Sequence, residues 1–172
     1  MLRILAAFIF FTRLPFWRLA EVPSEYFKNV VSRWALVGWL TAGLSVIVLY
    51  TASLILPASV AVLLAIVTRL LITGCLHEDG LADFFDGFGG GTSRERILSI
   101  MKDSHIGSYG VIGLILYFAL LYTLLSSLPL TLAGSAILAG DPFSKGVAGM
   151  IINRLPLSLI HISEPTRRSY IS

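Results

Sequence analysis

Four of the ten acidic residues of the chain fall within His77-Glu78-Asp79-Gly80-Leu81-Ala82-Asp83-Phe84-Phe85-Asp86. On a helix, Asp79, Asp83 and Asp86 sit at about 0°, 40° and −20° around the axis, with Glu78 roughly 100° away. Three carboxylates on one narrow face repel by ~0.2–0.5 kcal/mol per pair unless a positive charge lies between them. A divalent cation supplies that charge. Oxygen ligands with no cysteine among them suit magnesium, manganese or calcium, and magnesium is the usual partner of substrate phosphates. The expected metal set is Asp79, Asp83 and Asp86. The competing reading is a solvated acidic turn at a helix N-terminus, which the macrodipole favours. Position shifts the balance towards function, because the cluster directly follows a long apolar run and charges packed against a membrane segment are costly.

Further along, Gly89-Gly90-Gly91 is expected to end the helix and to let backbone amides approach phosphate oxygens. Thr92 or Ser93 then caps a second helix that carries Arg94 and Arg96, and Lys102 follows. These three basic residues are spaced to fold over a metal-held pyrophosphate. His77 is a candidate for acid–base chemistry. Each feature has a plainer counterpart: glycine runs are usually loops, basic residues near a membrane also bind anionic lipid, and a histidine beside an acid is often a structural hydrogen-bonder. Together they favour phosphoryl or nucleotidyl transfer over ion transport. A cation transporter would want its carboxylates deep within spans, whereas these follow one.

The elements that must position this block are apolar. Of 172 residues, 56% are hydrophobic and 13% charged, and the mean hydropathy is +0.84. This composition reads as an all-α, polytopic membrane helical bundle. The pI near 9.2 is no nucleic-acid signature, because the basic residues are dispersed. Cys75 is the one cysteine, which rules out an internal disulfide, and it is expected to be a small buried hydrophobe. Met1 to Phe11 is too short to span and suits an interfacial helix. Ser24 to Ser32 suits a short amphipathic helix with Ser24 as its N-cap. About four spans are expected: Trp34–Leu56, Ala58–Leu76, Tyr109–Leu128 and, more weakly, Leu130–Ile152, which Asp141 and Lys145 interrupt as a self-neutralising i,i+4 pair. Arg69 within the second span either reaches towards the acidic block or snorkels.

With Pro57 and Pro129 as hairpin turns, residues 1–33, 77–108 and the region of Arg154 share one side of the membrane. That side holds Arg3, Arg13, Arg18, Lys28, Arg33, Arg94, Arg96, Lys102 and Arg154, while the opposite turns hold no Lys or Arg. The positive-inside rule then makes residues 77–108 cytoplasmic.

His77-Glu78-Asp79-Gly80-Leu81-Ala82-Asp83, Asp86-Gly87, Gly89-Gly90-Gly91, Arg94-Glu95-Arg96, Ile100-Met101-Lys102-Asp103-Ser104, Ile106-Gly107 and Tyr109-Gly110 strongly resemble the cobalamin synthase family, the adenosylcobinamide-GDP ribazoletransferases. Thr12-Arg13-Leu14-Pro15 resembles that family's opening. The resemblance covers roughly residues 1 to 156. It implies a magnesium-dependent multi-pass enzyme of the inner membrane that joins adenosylcobinamide-GDP to α-ribazole or its 5′-phosphate and releases GMP. It carries metal and pyrophosphate duty onto Asp79, Asp83 and Asp86, and site duty onto Lys102, Asp103 and Ser104, with Glu78 as a softer assignment to the metal and His77 as a softer catalytic one. Membrane lipid and a second copy of the chain are the other partners to consider. A CDP-alcohol type of phosphotransferase is a further alternative, but its Asp-Gly-x-x-Ala-Arg spacing is absent from Asp79-Gly80-Leu81-Ala82-Asp83.

Family members are longer. From Leu157 to Arg167 the chain resembles a translated sequencing adapter, so the expected division is an incomplete membrane domain over 1–156 and a non-native tail over 157–172.

Overall fold

A computed structural model describes residues 1–154. Among these the regular structure is wholly helical. Helix α1 is Leu2–Phe11, and Phe16–Arg18 and Ser24–Arg33 form 3₁₀ segments. The remaining helices are α2 (Trp34–Ser53), α3 (Ala58–Thr73), α4 (Leu76–Gly90), α5 (Arg94–Met101), α6 (Ser108–Ser127) and α7 (Leu130–Arg154). The division at residue 156, and the tail beyond it, lie outside the described residues.

By length and composition, two helical stretches can cross a membrane: Ser24–Ser53, in which the 3₁₀ segment runs into α2, and Ser108–Ser127. The pair Ala58–Thr73 and Leu76–Gly90 would form a third if counted as one span bent by 90°. Helix α7 has 25 residues, long enough to cross at 1.5 Å per residue. With Asp141, Lys145 and Arg154 along it, α7 is not among the stretches apolar enough to be counted.

Where the expected second span was continuous to Leu76, the chain breaks at Gly74 and Cys75, both left-handed with φ of 61° and 59°. Left-handed backbone comes readily to glycine and is uncommon for cysteine. Cys75 is exposed, where a buried position was expected. The other capping expectations divide. Ser93 caps α5, its side chain accepting the Arg96 amide at 3.2 Å. Pro23, not Ser24, holds the cap position of the 3₁₀ segment.

The bundle packs through small residues, as helices in an apolar solvent do when close van der Waals approach replaces a hydrophobic drive. One cluster joins Leu49 of α2, Ala61, Val62, Ala65 and Ile66 of α3, Leu125 of α6 and Ala133 of α7. Where α2 crosses α7, a Cβ on Gly38 would lie 2.5 Å from the Cα of Pro142, so only glycine admits that backbone. A second cluster, of Ala6, Ala7, Phe11, Val30 and Val37, seats α1 and the 3₁₀ segment against the start of α2.

Candidate active site

The acidic run forms α4, which leaves α3 at 90° and packs on α5 and α6. Asp79 is exposed and Asp83 half-buried on this helix. Asp86, on the same face in helical projection, is engaged by the start of α6. It is buried at 8% exposure, and its Oδ2 and Oδ1 accept the amides of Gly107 at 2.7 Å and Gly110 at 2.8 Å. These are donors at the start of α6, which a carboxylate satisfies well. Glu78 is also buried, and its Oε1 accepts Arg69 Nη2 at 2.6 Å.

The four expected metal carboxylates are therefore divided among separate tasks. Among the described residues, no three His, Cys, Asp or Glu side chains are grouped to hold a metal ion. Asp79 and Asp83 stand one turn apart on α4, the first exposed and the second half-buried. That fits magnesium, which commonly takes one or two protein carboxylates and completes its shell with water and substrate phosphates.

The glycine run is helical through Gly90, with Gly91 as the extended C-cap. The helix does end there, but close packing accounts for Gly89 and Gly91. A Cβ at Gly89 would lie 2.5 Å from the Tyr109 ring, and one at Gly91 2.5 Å from Ile97 Cγ1; the nearest atom to one at Gly90 would be Ile100 Cδ1, at 3.5 Å. Helix α5 folds back onto α4 through Ile97 and Met101, which meet Gly87. This places Arg94 and Arg96, both exposed, on the first turns of α5, with exposed Lys102, Asp103 and Ser104 at its end. Asp103 Oδ1 is bonded to the His105 ring at 2.7 Å and to the His105 amide at 3.0 Å, and these bonds hold the carboxyl below its ordinary pKa.

His77 is fixed rather than free. Its Nε2 accepts the Trp34 indole N–H at 3.1 Å, and the rings stack at 5.3 Å, with Phe11 on the other face of Trp34 at 5.0 Å. His77 Nδ1 is buried without a partner among the described residues.

Behind α4 lies a charge cluster that the sequence only partly announced. Arg69 bonds Glu78 and, at 2.7 Å, Tyr117 Oη, and its Nη1 lies 3.8 Å from Asp141 Oδ1. Asp141 pairs with Lys145 and accepts from Thr41. The i,i+4 pair and Arg69's reach towards the acidic block were legible, but their union was not, because it depends on how α3, α4, α6 and α7 meet. A cavity of about 190 Å³ adjoins the cluster, with the buried Ser45 Oγ, unpartnered among the described residues, in its wall.

An apolar multi-helix bundle carrying a polar helical hairpin at one end defines a helical membrane protein. The family model described as cobalamin-5-phosphate synthase (CobS) matches residues 3–161, and the chain belongs to this family. It is similar to the adenosylcobinamide-GDP ribazoletransferase of Shewanella sp. (strain W3-18-1), 47% identical over 151 residues, 86% of this chain and 58% of the relative. The enzyme of that name from Shewanella oneidensis is 44% identical over 146 residues, 83% of this chain and 56% of the relative. The chain thus spans somewhat more than half the length of these relatives. No solved structure matches it.

Proposed function

We propose that the protein acts in cobalamin biosynthesis as a transferase joining adenosylcobinamide-GDP to α-ribazole or its 5′-phosphate, with release of GMP. The observation that supports this reading is the placement of Asp79 and Asp83 on α4, a helix turned 90° away from the apolar α3. In the reaction, a ribose hydroxyl oxygen of the ribazole attacks the phosphorus attached to cobinamide. The bond from that phosphorus to the GMP oxygen breaks, and the hydroxyl proton passes to a base.

Asp79 and Asp83 would hold magnesium, which when bound offsets pyrophosphate charge. Arg94, Arg96 and Lys102 would bind the phosphates from α5. Asp103 and Ser104, at the end of α5, would contact the substrate on the same side. His77 and Asp86, both held by internal hydrogen bonds, would support the site from behind. No side chain of the block is an evident covalent nucleophile, which favours direct displacement. The polar block would face the cytoplasm from the inner membrane, given the one-sided Lys and Arg distribution.

Ion transport is the weaker reading. Arg69, Glu78, Asp141 and Lys145 cancel one another's charge, and a cation path would need uncompensated acids. The test is GMP release from adenosylcobinamide-GDP and α-ribazole by protein in lipid nanodiscs. Asp83→Asn should remove it while membrane insertion persists.

A further inference from the structure

The bend between α3 and α4 is clamped from both sides. On one side the Arg13 amide donates to the Ile72 carbonyl at 2.7 Å, and the Arg13 side chain lies where a Cβ on Gly74 would be, 2.4 Å from Nε. On the other side Arg69, one turn before the end of α3, bonds Glu78 in the first turn of α4. Arg69 is in turn held by Tyr117 of α6 and approached by Asp141 of α7. A left-handed cysteine persists only when its surroundings over-determine it. Cys75 is exposed and contributes little to that itself.

We propose that Arg69 is a positioning residue: through Glu78 it sets the angle at which α4 leaves α3, and so where Asp79 and Asp83 stand relative to the basic residues of α5. An arginine suits this task because its planar fork can bind Glu78, Tyr117 and the neighbourhood of Asp141 at once, whereas a lysine is a point charge. The proposal deepens the transferase reading and rests on it only for its activity readout.

The charge balance of the cluster makes the proposal testable. Arg69 with Glu78 is one neutral pair, and Asp141 with Lys145 is another. Removing Arg69 alone strands a buried carboxylate, which is strongly destabilising, whereas removing both members of a pair leaves no uncompensated charge. The informative variant is therefore Arg69→Met with Glu78→Met.

The protein is reconstituted in nanodiscs in a Cys75→Ser background, with spin labels attached through Leu63→Cys on α3 and Phe88→Cys on α4, both exposed positions. The parent should give one narrow inter-label distance distribution. The double variant should insert and stay helical but give a broadened or displaced distribution. The magnesium concentration for half-maximal GMP release should rise on the order of tenfold, as when outer-shell support of a metal site is lost. Partial unfolding would lower turnover but leave that concentration unchanged. Arg69→Lys should fall between parent and double variant on both readouts. An unchanged narrow distribution in the double variant overturns the proposal, whatever the activity. A broadened distribution with no GMP release even from the parent supports the positioning role and counts against the transferase reading, so the two failures are distinguishable.

Discussion

The carboxylate of Asp86 caps α6, which begins at Ser108: its Oδ1 takes the Gly110 amide at 2.8 Å, its Oδ2 the Gly107 amide at 2.7 Å, across 24 and 21 residues of chain. A residue that looks from its spacing like a third metal ligand therefore ties α4 to α6. Asp86→Ala should lower stability by about 1–2 kcal/mol, the cost of losing a cap. Asp86→Asn, which keeps one acceptor oxygen, should cost less. Thermal unfolding in detergent checks both, and equal melting temperatures for parent and Asp86→Ala would refute the capping role.

The glycines that face α5 and α6 separate packing from ligand approach. A Cβ at Gly89 collides with the Tyr109 ring at 2.5 Å. Gly89→Ala should cost about 1–3 kcal/mol, the usual range for overpacking, and Tyr109→Ala in the same protein should recover part of that loss. If Gly89 served instead to admit substrate to its backbone, shortening Tyr109 would not restore the variant. The readouts are the melting temperatures of the two single variants and the double.

Helical periodicity was enough to foresee the acidic helix, the apolar helices and the short helix capped at Ser93, because these depend on local spacing. It also showed Asp141 and Lys145 as a pair. The direction in which each carboxylate points was not legible. Asp79, Asp83 and Asp86 share a face in projection, but α6 arrives beside the last of them with free amides, and α3 presents Arg69 to Glu78. The break at Gly74 and Cys75 was also hidden, because an apolar run reads as continuous until a non-glycine residue adopts positive φ. Glycines that look like a flexible loop proved to be contact points for Ile97, Ile100 and Tyr109.

Trp34 and His77 test how the start of α2 supports α4. Trp34→Phe keeps an aromatic ring between Phe11 and His77 but removes the indole N–H that donates to His77 Nε2 at 3.1 Å. It should cost about 1 kcal/mol, typical of one intramolecular hydrogen bond. Trp34→Ala should cost more, because the stack is lost as well. Equal stability of Trp34→Phe and the parent would mean the hydrogen bond contributes nothing.

Asp103 gives a pH-dependent observable. Its carboxyl is held below the ordinary value of 3.8 chiefly by the hydrogen bond from the His105 side chain, then by the His105 amide. A depressed folded-state pKa means that the interaction is present above the ordinary value and is lost as pH falls through the depressed one. Asp103 is exposed, so the effect should show in its own titration. His105→Ala should move the Asp103 carboxyl carbon titration upward in NMR, and an unmoved titration would count against the pairing.

The central claim is that Asp79 and Asp83 form the reacting face of a membrane transferase. Its most direct test is magnesium-dependent GMP release from adenosylcobinamide-GDP and α-ribazole in nanodiscs. It should be run on this chain and, in parallel, on a full-length Shewanella relative. The parent should release GMP only with magnesium, and Asp79→Asn and Asp83→Asn should each lower the rate by at least about a hundredfold while inserting normally. GMP release by either variant at the parental rate and at low magnesium would contradict the claim.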